Sequence, residues 1–567
     1  MAKGSRRQYR SNDSEPGQQS GFVTIEHYMA GKDPYRVAPA DEMPVPWPFI
    51  THPKGEELGN IENSIRGECM NICQQHSITV RSVKVEVLSR KDYPSLPVPI
   101  PYLIIYTLDT NRTRWQAAAN DLRNLIAKDR FRSSNGNFIK VEIRNPARMY
   151  ADFTTCLPVD QELQRYLDEV EPKIYALVLE TLPSSWTMVC SHMRGPRSTQ
   201  SLTPPRPTIL VYVKPETVHS FDSTEEKYRE ALTSHNFPNI VMNIEILAGV
   251  VTKTPCRMPY EAKHLFGLNT TRPYNGVSIS AANLDDESGT LGGWIRLTSN
   301  ANPNQVTDYM LTCYHVVVAA ADPENEDDNN ERGIGFLGSQ HLPNIDVVWP
   351  SVQDEVFTRS EANRKIREGS ADANIRQSLA LLNQINGAGR IVGKVRYASG
   401  FAKRSPTNGY LDWALIPSPG TSQPNRPPQE IYDRQNLAFG SIYRPTANDF
   451  IRRIAPEPQV NDWVVRSGRT SANHGIVEQR YSYIIWEDDE TRKPSHEMKI
   501  VSHHGDPDFC HAGDSGSWVV NHKYELVGML IGQTGMNSGN NGIVTPVRDL
   551  FADIEARTNC TVSLPLP

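Results

Sequence analysis

Along the 567 residues the apolar positions follow two different rhythms, and the change falls near Thr252. Between about 60 and 252, short apolar runs alternate with stretches of helical period. Tyr102 to Tyr106 reads as a buried strand, Trp115, Leu122, Leu125 and Ile126 fall on one helical face, and Phe138 to Ile143 alternates as a second strand. The succession returns with Thr208 to Val213 as a strand and a helix containing Tyr228 and Leu232, opened by the capping box Ser223-x-x-Glu226. Ile240 to Leu247 closes this copy. Val83 to Leu88 and Ile174 to Leu179 offer each copy a preceding strand. This pattern predicts two tandem α/β units (β-α-β repeats), each a sheet covered on one face by its helix.

Beyond Thr252 the apolar runs become short and numerous, with Gly, Pro, Asn and Asp between them. Gly276 to Ser280, Gly289 to Leu297, Tyr309 to Cys313, Ile391 to Tyr397, Leu411 to Ile416, Trp463 to Arg466, Ile476 to Glu478, Ser517 to Val520 and Leu526 to Ile531 read as strands of an all-β domain. The exception is a helical insertion at about 351–384, with Asn374 to Gln384 as its helix. The expected organisation is therefore a disordered or loosely docked arm at 1–55, α/β units at 56–160 and 161–255, a linker at 256–275, and the all-β domain at 276–567. A chain of this length calls for several cores in any case.

Charge removes some functions from consideration. A net charge of −6 and a pI near 6.2 provide no concentrated basic surface for nucleic acid or an anionic membrane. No run of about 18 apolar residues reads as a membrane span, and Met1 to Ser20 is too polar for a secretory leader, so the expectation is a cytoplasmic or nuclear protein, not a secreted one. The eight cysteines are scattered, which fits reduced thiols. Cys69 and Cys73 can share a helix face, but no second Cys/His pair accompanies them, and neither a metal nor another cofactor is expected.

The chemistry gathers in the all-β half. Hydrolysis of an amide through a serine needs a hydroxyl near an imidazole, a carboxylate fixing that imidazole's tautomer, and amides facing the developing oxyanion. Gly513-Asp514-Ser515-Gly516, just before the strand at Trp518, has the small residues of a tight turn that exposes a serine. Leu311-Thr-Cys-Tyr-His315 ends a strand at a histidine, and Tyr410-Leu-Asp412-Trp-Ala-Leu-Ile416 opens an apolar run with a carboxylate. Asp346, in Ile345-Asp-Val-Val-Trp349, competes for the carboxylate place.

These segments resemble the chymotrypsin-like (trypsin-like) serine proteases over about 276–555. The resemblance implies a double β-barrel, Ser515 as nucleophile, His315 as base and Asp412 as orienting acid, with Asp346 still open as the third member. It further implies an oxyanion hole from the amides of Gly513 and Ser515, and substrate contacts at Phe509 and Gly532. Phe509 occupies the place where trypsin-like members carry an acid, so a preference for Lys or Arg directly before the cut is not expected. The order of parts, with a long N-terminal region ahead of a Gly-Asp-Ser-Gly-Ser-Trp turn, resembles intracellular fungal sensor and processing proteases. That implies limited, regulatory cuts in protein substrates and self-processing, with the N-terminal region retained as a prodomain. The alternative is a protease-fold interaction or signalling module whose site is masked or inactive.

Overall fold

The computed structural model describes residues 21–566, apart from 91–97, 129–137, 197–203, 234–236, 238, 254–262, 264, 267, 319–325, 336–343, 419–421, 430–442, 458–460, 490, 503–507 and 536–540. Residues 1–20, most of the first half of the expected linker, His503 and His504 thus lie outside the described residues. The chain is mixed α/β with several sheets, and it divides into two compact units at Val250/Val251, residues 535–538 grouping with the first. Among the described residues no helix is long and apolar enough to cross a membrane.

In the first unit, strands Val80–Arg90 and Ile100–Thr107 pair antiparallel, and Lys140–Arg144 then returns parallel to Ile100–Thr107. A parallel return needs a crossover, and the helix Trp115–Ile126 supplies it. Its buried Trp115, Ala118, Leu122 and Leu125 pack with Ile61, Ile65, Cys69 and Cys73 of the helix Glu56–Gln75 against Val83, Val85, Leu103 and Ile105. The arrangement recurs with Trp186–Pro196, Arg206–Val213, the helix Phe221–Thr233 and a parallel return at Asn243–Ala248.

Three local expectations differ from what forms. Ile174 to Leu179 lies inside the helix Gln161–Thr181, where Leu163, Tyr166, Leu167, Val170, Ile174 and Val178 are buried at helical spacing. A six-residue window was too short to show that period, and Trp186–Pro196 is the strand instead. The helix expected to open at Ser223 begins at Phe221, and the Ser220 carbonyl accepts from the Thr224 amide. Within the expected arm, Arg36–Val37 and Phe49–His52 pair onto the two sides of the first sheet, each too short to register as a periodic pattern.

In the second unit, six antiparallel strands close on themselves: Trp463–Ser467, Ala472–Val477, Ser495–Val501, Asn541–Pro546, Glu525–Gly535 and Trp518–Asn521. Val464, Val477, Met498, Ile500, Phe509, Val519, Leu530 and Val544 form their shared core. A second group is built on Gly293–Ser299 and Val306–Thr312, flanked by Ala414–Pro417 on one side and the C-terminal Cys560–Ser563 on the other. The insertion is two helices, Val352–Arg367 and Ala373–Gly387, capped by Ser351 and Asp372.

Candidate active site

His315 sits in the turn Tyr314–Val316, directly after the strand Val306–Thr312. That strand pairs with Ala414–Pro417 so that Thr312 faces Ala414. The register brings Asp412, 97 positions away in the chain, against the imidazole. Asp412 Oδ1 accepts from the His315 amide at 3.0 Å, and Oδ2 accepts from Nδ1–H at 2.5 Å. With Nδ1 as donor, Nε2 carries the lone pair. Nε2 is buried and has no hydrogen-bond partner among the described residues. Such an atom is costly to leave idle, and accepting a proton is the chemistry it offers. Burial alone would raise the Asp412 carboxyl; the facing His315 and the charge of Lys253 hold it below its ordinary value. Asp346 is elsewhere, at the start of Asp346–Val348, with Lys394 Nζ 3.5 Å away.

Ser515 lies in a turn bounded by two glycines in left-handed conformations, Gly513 (φ +91°) and Gly516 (φ +92°). Larger residues would collide as well as strain: a Cβ at Gly516 would stand 2.3 Å from the Thr290 carbonyl oxygen. The turn is tied to the segment that carries His315. Thr290 N donates to the Ser515 carbonyl and Thr290 Oγ1 to the Gly513 carbonyl, both at 2.8 Å, while Thr312 Oγ1 donates back to the Thr290 carbonyl. Among the described residues nothing accepts from the Gly513 amide.

Asp514, which the resemblance implies as the brace of this turn, is itself held by a residue to which the sequence assigns no role. Asp514 is fully buried and accepts from the amides of Thr470, Ser471 and His511 and from Ser471 Oγ, at 2.7 to 3.0 Å. The Arg466 guanidinium, equally buried, lies 2.7 Å from it. Arg466 interrupts the apolar run Trp463-Val-Val, and a charge inside a buried strand demands a buried counter-charge. That interruption is the signal by which it could be found. A second buried pair, Arg469 with Asp354 at 2.5 Å, ties the neighbouring loop to the helical insertion.

The two expected substrate contacts have different surroundings. The Phe509 ring is fully buried in the core and fills the space that Cβ atoms at Gly475 and Gly542 would take. Gly532 has the Trp486 ring and the Thr252 carbonyl against it, 2.5 and 2.7 Å from where its Cβ would be. Cys313, His315 and Asp412 present ligand atoms within 4.8 Å of one another. They do not suit a metal: burial pushes the Cys313 thiol well above its usual range, the thiol donates to the Leu530 carbonyl, and Nδ1 is committed to Asp412.

Behind the Asp412 strand, Glu497 Oε1 accepts from the Tyr410 amide at 2.8 Å. Burial pushes its carboxyl up to about 7, against hydrogen bonds from Ser495 and the Tyr410 amide. The folded form therefore holds a proton that the unfolded chain has lost at the same pH. Stability conferred on this unit is expected to be full below the ordinary carboxylate range and to fall as pH rises toward about 7, by about 3 kcal/mol in total. Urea titrations across that range, with Glu497→Gln as a flat control, measure it.

No family model matches the chain, and no curated protein matches it. Solved structures similar to about half of it are serine proteases. A protease A from Thermobifida fusca covers 52% of this chain and 98% of its own, at 11% identity and a TM-score of 0.27. A chymotrypsin from Cellulomonas bogoriensis covers the same shares at 11% identity and 0.26. The MamO protease domain from Magnetospirillum magneticum covers 50% and 98%, at 12% identity and 0.22.

Proposed function

We propose that the second unit is a serine endopeptidase, a double β-barrel of the chymotrypsin-like kind, making limited regulatory cuts in protein substrates. The observation that carries this reading is the buried His315–Asp412 pair, whose Nε2 is left as an acceptor on the segment to which the Ser515 turn is bonded. In the first step Ser515 Oγ attacks the substrate carbonyl and its proton passes to Nε2. The carbonyl electrons move onto oxygen, which faces the amides of Gly513 and Ser515. Collapse breaks the C–N bond, the amine leaves with the proton from Nε2, and water releases the acyl group by the same route. Asp412 keeps Nδ1 protonated and stabilises the imidazolium without taking its proton.

The finer parts of the proposal are self-processing, with the first unit retained as a prodomain partner, and a cytoplasmic or nuclear location. A second reading, a masked interaction module, draws on the burial of the site: Ser515 is 0% and His315 3% exposed. The two are separated by treating the full chain with a fluorophosphonate and mapping the adduct by peptide mass. An adduct on Ser515 is expected; none after prolonged exposure sinks the enzyme reading and leaves the binding module.

A further inference from the structure

The strand Glu525–Gly535 is flanked on one side by Trp518–Asn521 only as far as Met529, whereas Asn541–Pro546 accompanies the other side to Thr534. The edge that opens after Met529 begins beside the nucleophile turn, because the Leu530 carbonyl accepts from the Gly516 amide at 2.8 Å. An extended peptide added along this edge would be delivered to Ser515, since an unpaired strand edge is a template for a further strand. The edge is already taken: Val250–Lys253 continues the sheet there, with the Thr252 carbonyl against Gly532 and the Val251 carbonyl accepting from the Glu487 amide at 3.0 Å.

Lys253 ends this strand, and its side chain enters a built pocket. The ammonium lies 3.5 Å from the centre of the Phe401 ring, 5.0 Å from that of Tyr410, and 2.7 Å from Asp488 Oδ2, with the side chain only 7% exposed. Two aromatic faces and a carboxylate are what a cation selects. Arg404 also lies over Tyr410, but its charge is met by Asp489, which leaves Asp488 to Lys253. The pocket is continuous with the candidate site: Phe401 packs on Tyr314, next to His315, and Tyr410 stands two residues before Asp412. The same ammonium helps hold the Asp412 carboxyl below its ordinary value.

We propose that Phe401, Tyr410 and Asp488 form a subsite for a basic side chain of an extended substrate, and that Lys253 occupies it as a built-in substitute for substrate. The proposal rests on the endopeptidase reading and adds to it a substrate class, extended peptides carrying Lys or Arg at this position. It does not concern the residue directly before the cut, whose expected pocket involves Phe509. It also accounts for a site that is closed in this state: the strand must leave before a substrate can take the edge.

The test uses full-length protein in which Lys253→Met empties the cation from the pocket while keeping the aliphatic stem, with unfolding curves confirming the fold. The probe is a fluorescent peptide of this chain's own Gly249–Lys253 sequence, compared with the same peptide carrying norleucine in place of Lys. The Lys peptide is expected to bind roughly tenfold tighter than the norleucine peptide, and Asp488→Asn to erase that difference. Equal binding of the two peptides, no binding of either, or an unchanged preference in Asp488→Asn overturns the subsite. Binding is read by anisotropy and needs no turnover, so it is judged separately from the enzyme reading, which the Ser515 adduct decides. In the same Lys253→Met protein the adduct is expected to form roughly tenfold faster than in wild type, and an equal or slower rate overturns the occupancy by Lys253.

Discussion

Ser515→Ala and His315→Ala are each expected to lower the rate of peptide cleavage by about a million-fold, and Asp412→Asn by about ten thousand-fold. The order follows from what each change leaves behind. Without the hydroxyl or the imidazole, no acyl-enzyme forms, and only binding and the amides at Gly513 and Ser515 remain. Asn at 412 preserves the shape but offers its amide hydrogens to Nδ1. The imidazole then turns to the tautomer that carries its proton on Nε2, where a lone pair is needed. Asp346→Asn, at a position facing Lys394 and not His315, is expected to change the rate little. Cleavage of one fluorogenic peptide by the four variants checks this, and a deficit at 346 equal to that at 412 would sink the assignment.

The second large effect is expected at Arg466. Removing one member of a buried ion pair strands the other, and Arg466→Met leaves the Asp514 carboxylate at 0% exposure without its counter-charge. The expected cost is about 3–5 kcal/mol, read from urea unfolding. Since Asp514 also gathers the amides of Thr470, Ser471 and His511, its movement displaces the Ser515 turn. Fluorophosphonate labelling is therefore expected to slow by a larger factor than the unfolded fraction explains. Arg466→Lys keeps the charge without the planar fork that reaches Ser471 and Asp514 together, and should fall between. Labelling that simply tracks the folded fraction would reduce Arg466 to a stability role.

His315, Asp412 and Ser515 stood out as candidates because each sits at the end or start of an apolar run, and those runs do form strands or adjoin them. The choice between Asp412 and Asp346 was not legible, because linear spacing says nothing about which strand lies beside Val306–Thr312; the pairing register does. Arg466 ends the strand run that starts at Trp463, but its partner lies 48 residues on, at a distance no local pattern reports. The crossover helices of the first unit stood out through wide apolar stripes such as Trp115 to Ile126. Val352–Arg367 did not, because it buries Gln353, Asp354, Glu355 and Thr358 in place of an apolar face. Val547–Thr558 does carry the stripe Val547, Leu550, Phe551 and Ile554, but it follows a long succession of strand runs and is assigned no element from sequence.

Two bonds of the site join distant parts of the second unit: Thr290 reaches Gly513 across 223 positions and His315 reaches Asp412 across 97. Contacts of such separation form late, since the entropy of closing long loops must be met before they contribute. During synthesis the chain can therefore collapse and begin pairing strands while its histidine, carboxylate and serine are still far apart. On the endopeptidase reading, hydrolytic power would arrive only with the last ring strand, and an incompletely made chain would be harmless to its neighbours.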